Sequence, residues 1–433
     1  MLDLRVPARV STRRVLIAWS ALIVVAFVWG RILVLTRHDL FLGTPPFWSR
    51  SHLHASLRVV PAVVLSGLII RYGPQAARTW SWRAVLATTT IASTVWAVAM
   101  AYVDSPHALT ALFAIQRFDY LQTAAGIHSI HTYLSQFVDK IATYNQNTIG
   151  HPPAMVVIEW VMLRVGFATP GWNAALAIAG GVTAGIAALV AYRDVAGEDA
   201  ARGAAPFLAL VPAVLWWQTA DALFAGVSAT AVMLIVLASS RDGRRADLYA
   251  LAGGLLFGLT LFLSYGLALI ALLPIAVCWS RRRPRPLLLA AVGIMPFFVG
   301  FAAMGFSWFA GLAATRHEYW IGAASQRPYS YFLLADLAVL AIATGPAVAV
   351  ALTRLRDRQA WLLVGAVLAV VALADLSGMS KGEVERIWLP FVPWAVLATS
   401  ALAVGPRALR STRTWLTVQV ACTLVIAVTI WSL

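Results

Sequence analysis

Long apolar blocks and short polar breaks alternate along almost the whole chain, and only one break is long: the stretch from Asp104 to about Gly150. A helix needs roughly 20 predominantly apolar residues to cross a bilayer. On that measure the pattern predicts spans near 15–36, 57–72, 84–103, 172–192, 204–220, 222–240, 247–263, 266–280, 287–305, 331–353, 360–376, 388–405 and 414–432. The expected fold is therefore all-α, a polytopic transmembrane protein of about 13 spans. Residues 152–166 are apolar but short and carry Glu159 and Arg164, so they are expected to lie along the interface without crossing. Within the long break, the spacing of Leu134, Phe137, Val138 and Ile141 predicts a second membrane-lying helix.

Composition sharpens this picture. The chain of 433 residues is 61% hydrophobic and 12% charged, which leaves no room for a separate soluble domain. The formal net charge of +15 would suggest nucleic acid in a soluble protein. Here the arginines punctuate apolar runs, as the positive-inside bias requires, and nucleic-acid binding is excluded. With the N-terminus inside, the tail and inner loops collect 22 basic and 7 acidic residues, which accounts for the entire net charge; the remainder balances, 11 against 11. A crossing at 152–166 would turn every later arginine cluster outward. Arg5, Arg9, Arg13 and Arg14 precede a first run too long for a signal peptide, so that run is expected to be retained. The 2 cysteines lie in apolar runs without metal or redox spacing.

On this topology all 8 histidines, both lysines and most acids face outward. Asp104 closes the third span, and an acid at a membrane edge is by default a functional candidate, although it also serves as a helix cap. The loop it opens contains Asp119 and ends in Gly150-His151-Pro152-Pro153. A second outer loop, 306–330, holds Arg316, Tyr319, Trp320 and Arg327; a third, 377–387, holds Lys381 and Arg386. Cations on the outer side run against the topological bias and suit phosphate. Tyr319 and Trp320 read as interfacial aromatics or sugar-stacking rings, and Asp221 as a cavity residue or a cap. No zinc spacing occurs, and the outer acids are too dispersed to define a cage, so no cofactor is expected and a divalent metal is the weaker alternative.

These residues resemble the GT-C superfamily of polytopic glycosyltransferases, and in particular actinobacterial membrane proteins of that type. The resemblance rests on Ala101-Tyr-Val-Asp104, the long loop after it, Gly-His-Pro-Pro at 150–153, Arg193, Ala220-Asp221 and Lys381-Gly-Glu-Val-Glu-Arg386-Ile-Trp, and extends from about residue 82 onward. It implies an inverting transferase at the extracytoplasmic face of the plasma membrane. The donor would be a polyprenyl-phosphate sugar and the acceptor an envelope glycan, lipid or protein. Asp104 would act as general base, Lys381 and Arg386 would meet the departing phosphate with Arg316 and Arg327 in reserve, and His151, Asp221, Tyr319 and Trp320 would contact substrate. Many relatives carry paired acids where this chain has Asp104-Ser105, which leaves the base open between Asp104 and Asp119. Two spans also precede the catalytic one, which divides the chain into an N-terminal extension at 1–80, a catalytic module at 81–240 with outer loop 104–151, and further spans at 241–433. The competing functions are a flippase or transporter of lipid-linked sugars, which would place charge at mid-membrane between repeats, and an acyltransferase, which would need a histidine buried in the membrane.

Overall fold

The computed structural model describes residues 10–51, 53, 56–115 and 120–431. The chain is 78% helical. Its strand pairing among the described residues is a two-residue ladder, Arg50–Ser51 against Ile430–Trp431, and an isolated bridge between Thr44 and Phe47. The principal helices are α1 (Thr12–Leu35), α2 (Val59–Thr79), α3 (Trp82–Asp104), α4 (Ala154–Arg164), α5 (Pro170–Ala196), α6 (Glu198–Ala209), α7 (Ala220–Ser239), α8 (Gly243–Leu263), α9 (Leu272–Ser280), α10 (Arg285–Ala303), α11 (Trp308–Ile321), α12 (Tyr329–Thr344), α13 (Pro346–Leu352), α14 (Arg358–Leu376) and α15 (Ala408–Thr429).

Among the described residues, nine helices are long and apolar enough to cross a membrane, or ten if α12 and α13, bent by 99° to each other, count as one span. The four other segments in the expected thirteen are broken, two of them at a proline, Pro212 and Pro346. Residues 204–220 fall on α6, which contains Pro206, and on a 3-10 turn at Pro212–Trp216; residues 331–353 are split at Gly345-Pro346. Residues 266–280 combine a 3-10 stretch, Tyr265–Ala271, with α9, and 388–405 combine Val392–Val396 with a 3-10 stretch, Leu397–Leu402. A proline withdraws an N–H and crowds the preceding turn. Irregular backbone at membrane depth survives only where protein encloses it, and the residues from Val392 to Ser400 are all buried.

Small residues set the closest helix contacts, as expected where apolar lipid removes the hydrophobic drive between helices. α5 and α7 cross at Gly180 and Gly226, where a Cβ on Gly226 would lie 2.6 Å from the Gly180 carbonyl oxygen. α4 has 11 residues, about 17 Å at 1.5 Å per residue, well short of the hydrocarbon thickness of roughly 30 Å.

Side-chain contacts sort the loops into two ends. Asp194 receives Arg241 at 3.3 Å and Arg281 at 2.8 Å, and Arg202 donates to the Ala77 and Trp80 carbonyls at 2.7 and 2.8 Å. Arg354 reaches the Thr12 hydroxyl, and Arg413 the Arg71 carbonyl, each at 2.8 Å. All of these belong to the tail and loops that the arginine bias groups together. The long helices mark a membrane protein, and the described residues of the loop 104–151 lie at the opposite end.

Candidate functional site

At that opposite end the chain brings four distant segments around a cavity of about 50 Å³, room for a few waters. The loop contributes Tyr120 and Asn147, α4 contributes Glu159, the turn into α7 contributes Gln218 and Asp221, and the 377–387 loop contributes Glu383 and Arg386; Trp48 completes the wall. Each segment has a local reason to be there. Asn145 caps the short helix Gln146–Gly150 by accepting the Thr148 N–H at 3.0 Å, and its amide reaches Thr123 at 3.0 Å, which folds the loop back on itself. The Thr315 hydroxyl then ties the loop to α11 through the Ile149 carbonyl at 2.9 Å. Asp221 occupies the first turn of α7, where the helix dipole favours a carboxylate.

Arg386 is the centre of the charge arrangement, donating to Asp221 at 3.0 Å and Glu383 at 2.6 Å. Burial works against its charge, but Glu383 and Asp221 outweigh that and raise its pKa, so it stays protonated. Burial likewise pushes the Glu383 carboxyl up, yet Arg386 and Arg327 together hold it below its ordinary value. Glu383 sits in the left-handed region at φ 63°, and Gly382 before it at φ 83°. A Cβ on Gly382 would come within 2.9 Å of the Phe332 ring, and its N–H is accepted by Asp336 at 3.1 Å. Strained backbone of this kind persists only where surrounding contacts over-determine it.

His151 lies beside this network, with its Nδ1 2.8 Å from the Asn147 carbonyl and its ring against Tyr120 and Phe224. A carbonyl can only accept, so Nδ1 carries the proton and Nε2 of the neutral ring is an acceptor. Burial lowers the imidazole pKa, against the upward pull of Asp221.

The structure thus brings His151, Asp221 and Arg386 together. Asp104, at the end of α3, does not line this cavity but a separate small cleft with Leu215, Trp216 and Ile430. Asp119 falls outside the described residues, as do Arg5 and Arg9. Lys381 is buried, its ammonium donating to the Ala324 and Arg327 carbonyls at 2.5 and 3.2 Å and lying 4.8 Å over the Trp320 ring. Arg327, also buried, donates to the Leu40, Phe41 and Lys381 carbonyls and pairs with Glu383 at 3.4 Å. The Tyr319 hydroxyl accepts from the Lys381 N–H and donates to the Gly378 carbonyl, both at 3.0 Å. These four side chains brace the loop that presents Arg386. Arg316 is exposed on α11.

Sequence reasoning missed Glu159, Glu383, Asn147 and Gln218 as site residues. Glu159 had a legible signal, an acid on an otherwise apolar helix; it is 1% exposed. The Gln218 Oε1 is buried with no hydrogen-bond partner among the described residues. No cluster of His, Cys, Asp or Glu suited to a metal occurs among the described residues. Comparison of the chain with protein-family models, curated proteins and solved structures returned no match.

Proposed function

We propose that this protein is a GT-C-like membrane glycosyltransferase that moves a sugar from a polyprenyl-phosphate donor to an envelope glycan, lipid or protein acceptor at the extracytoplasmic face of the plasma membrane. The observation that carries the reading is the chemistry of the cavity wall. Three carboxylates, two side-chain amides and three aromatic side chains face one guanidinium. Carboxylates and amide oxygens accept hydrogen bonds from hydroxyls, and the unpartnered Gln218 Oε1 gains from one. The wall is net acidic, so it suits the hydroxyls of a sugar better than a phosphate. In this account the cavity holds sugar after opening beyond its present volume, and the leaving phosphate meets Arg386 at its edge or exposed Arg316. Lys381 and Arg327 already direct their donors at backbone carbonyls and act by positioning Arg386. A lipid-borne donor diffuses in laterally, which fits a chain built almost entirely of apolar helices.

An acceptor hydroxyl loses its proton as its oxygen bonds the anomeric carbon and the bond to the phosphate breaks. Asp104 and Asp119 are the two acids proposed for that proton; Tyr120, next to Asp119 in sequence, is on the cavity wall. Asparagine keeps the size and capping capacity of aspartate but not its basicity. General-base assistance contributes about 10²- to 10⁴-fold, so one of Asp104→Asn and Asp119→Asn is expected to accumulate normally and lose that factor in release of polyprenyl phosphate from labelled hexose or pentose donors. Full turnover in both variants, or no turnover of any such donor by folded wild-type protein, overturns the reading.

A further inference from the structure

The site above occupies one end of the bundle, and a much larger cavity of about 1170 Å³ opens at the arginine-rich end. Arg78, Arg202, Arg354 and Arg356 line it against Asp199 and Asp357, a local excess of positive charge. Two of the four arginines are already engaged. Arg202 braces the end of α2 and pairs with Glu198 at 2.5 Å, and Arg354 holds Thr12. Arg78 and Arg356 are exposed and make no ion pair among the described residues. Arg78, in the last turn of α2, and Arg356, in the connection between α13 and α14, both line this open cavity.

A second cavity adjoins the first. An apolar groove of about 490 Å³ runs between α2, α3 and α6, walled by Leu68, Ile69, Tyr72, Val85, Ala92 and Ala209. Pro206 belongs to both walls, and on α2 the turn holding Pro74 and Arg78 faces the basic cavity while Ala76 and Ala77 face the groove. Leu68 and Tyr72 are 52% and 60% exposed, so the groove opens sideways, where a bilayer would lie. A free anion has no use for the groove, and an uncharged apolar chain has none for the arginines. A molecule with both parts matches both: an apolar tail lying along α2 and α3, and an anionic head turned into the basic cavity at the end of the same helices.

We infer that this composite site binds an anionic membrane lipid, its phosphate head between Arg78 and Arg356 and one acyl chain in the α2–α3–α6 groove, at the end of the bundle opposite the sugar cavity. The head must be net negative, since a choline group would set a second cation among the arginines. The site is independent of the transferase reading and requires only that the bundle reside in a membrane.

Native mass spectrometry of the full-length protein in detergent, with dioleoyl phosphatidylglycerol or dioleoyl phosphatidylcholine added at equal concentration, tests this. One phosphatidylglycerol is expected to remain bound in preference to phosphatidylcholine. Each basic side chain near an anionic headgroup is worth about fivefold in affinity, so Arg78→Gln with Arg356→Gln should weaken retention about 25-fold. The exposed pair Arg244→Gln with Arg245→Gln, at the same end with the same change in charge, should leave it unchanged. Ala76→Trp, which obstructs the groove, should also release the lipid. Equal retention of phosphatidylcholine, or equal loss in the control pair, overturns the assignment. So does complete displacement by glycerol 3-phosphate together with no effect of Ala76→Trp, which would mark a site for free phosphate.

Discussion

Glu385 shows how burial alone gives a side chain a consequence that can be measured. Its carboxyl is 2% exposed and accepts the Trp48 N–H at 2.8 Å. Burial, reinforced by Glu383, pushes its pKa from 4.5 to about 7. Folded chains therefore keep a proton that unfolded chains release between those pH values. This contribution to stability is fully present below about pH 4.5 and is lost as pH rises through about 7, with a full span on the order of 3 kcal/mol. Glu385→Gln keeps an acceptor for Trp48 and cannot titrate, so its melting temperature is expected to exceed that of wild type at pH 8, with the gap closing toward pH 5. Parallel melting curves across that range would show that Glu385 does not titrate there. The sequence displayed this residue only as one of two glutamates between Lys381 and Arg386. Nothing in the spacing told which of the loop's charges turns inward, because that depends on the left-handed turn at Gly382-Glu383 and on the Leu40–Trp48 segment packed over it. Lys381 stood out for its side of the membrane, and the structure gives its ammonium to backbone carbonyls; Arg386, flagged for the same reason, faces the cavity.

Elements were more legible than residues, because the length of an apolar run reports directly on a helix that spans. The runs later seen as α1, α2, α3, α5, α7, α8, α10, α14 and α15 were all visible in the hydropathy pattern. The broken segments were not visible as broken: hydropathy counts apolar residues and is blind to whether a residue such as Pro212 or Pro346 lets them form one straight helix. α4 was read as non-crossing from its shortness and its two charges, and in the structure it is a helix of 11 residues. Its Trp160 donates to the Ile127 carbonyl at 3.2 Å and stacks under Arg164, so it packs on the loop it follows. If α4 does not cross, Gln146 before it and Gly171 after it share a side. With Cys278 and Cys422 replaced, Gln146→Cys and Gly171→Cys are both expected to react with an impermeant maleimide on intact cells, and Arg244→Cys only after permeabilisation. Labelling of Gln146→Cys and Gly171→Cys from opposite sides would make α4 a span and reverse every later loop.

At the scale of the whole molecule, the first 80 residues read in sequence as an extension, and in the structure their described part is built into the bundle. The Trp19 indole donates to the Ala341 carbonyl of α12 at 3.1 Å, Tyr331 packs at Gly30, and Phe47 stacks on Trp216 at 5.8 Å between ring centres. Pairing of Arg50–Ser51 with Ile430–Trp431 joins this segment to the end of α15. Such contacts join residues hundreds of positions apart, and one sequence carries no local trace of them. They are also what closes the cavity, since Trp48 forms part of its wall. The central claim, that sugar transfer takes place in that cavity, is tested most directly by filling it without changing a charge. Ala220 lines the cavity at the start of α7, and leucine adds three carbons to a space of about 50 Å³. Overpacking of this kind costs about 1–3 kcal/mol, whereas displacing a substrate by about 1 Å costs roughly 100-fold in rate. The measurement is release of polyprenyl phosphate from a labelled sugar donor by wild type and Ala220→Leu at equal folded concentration. A loss of about 100-fold in the variant is the predicted result; wild-type turnover with the cavity filled would contradict the account.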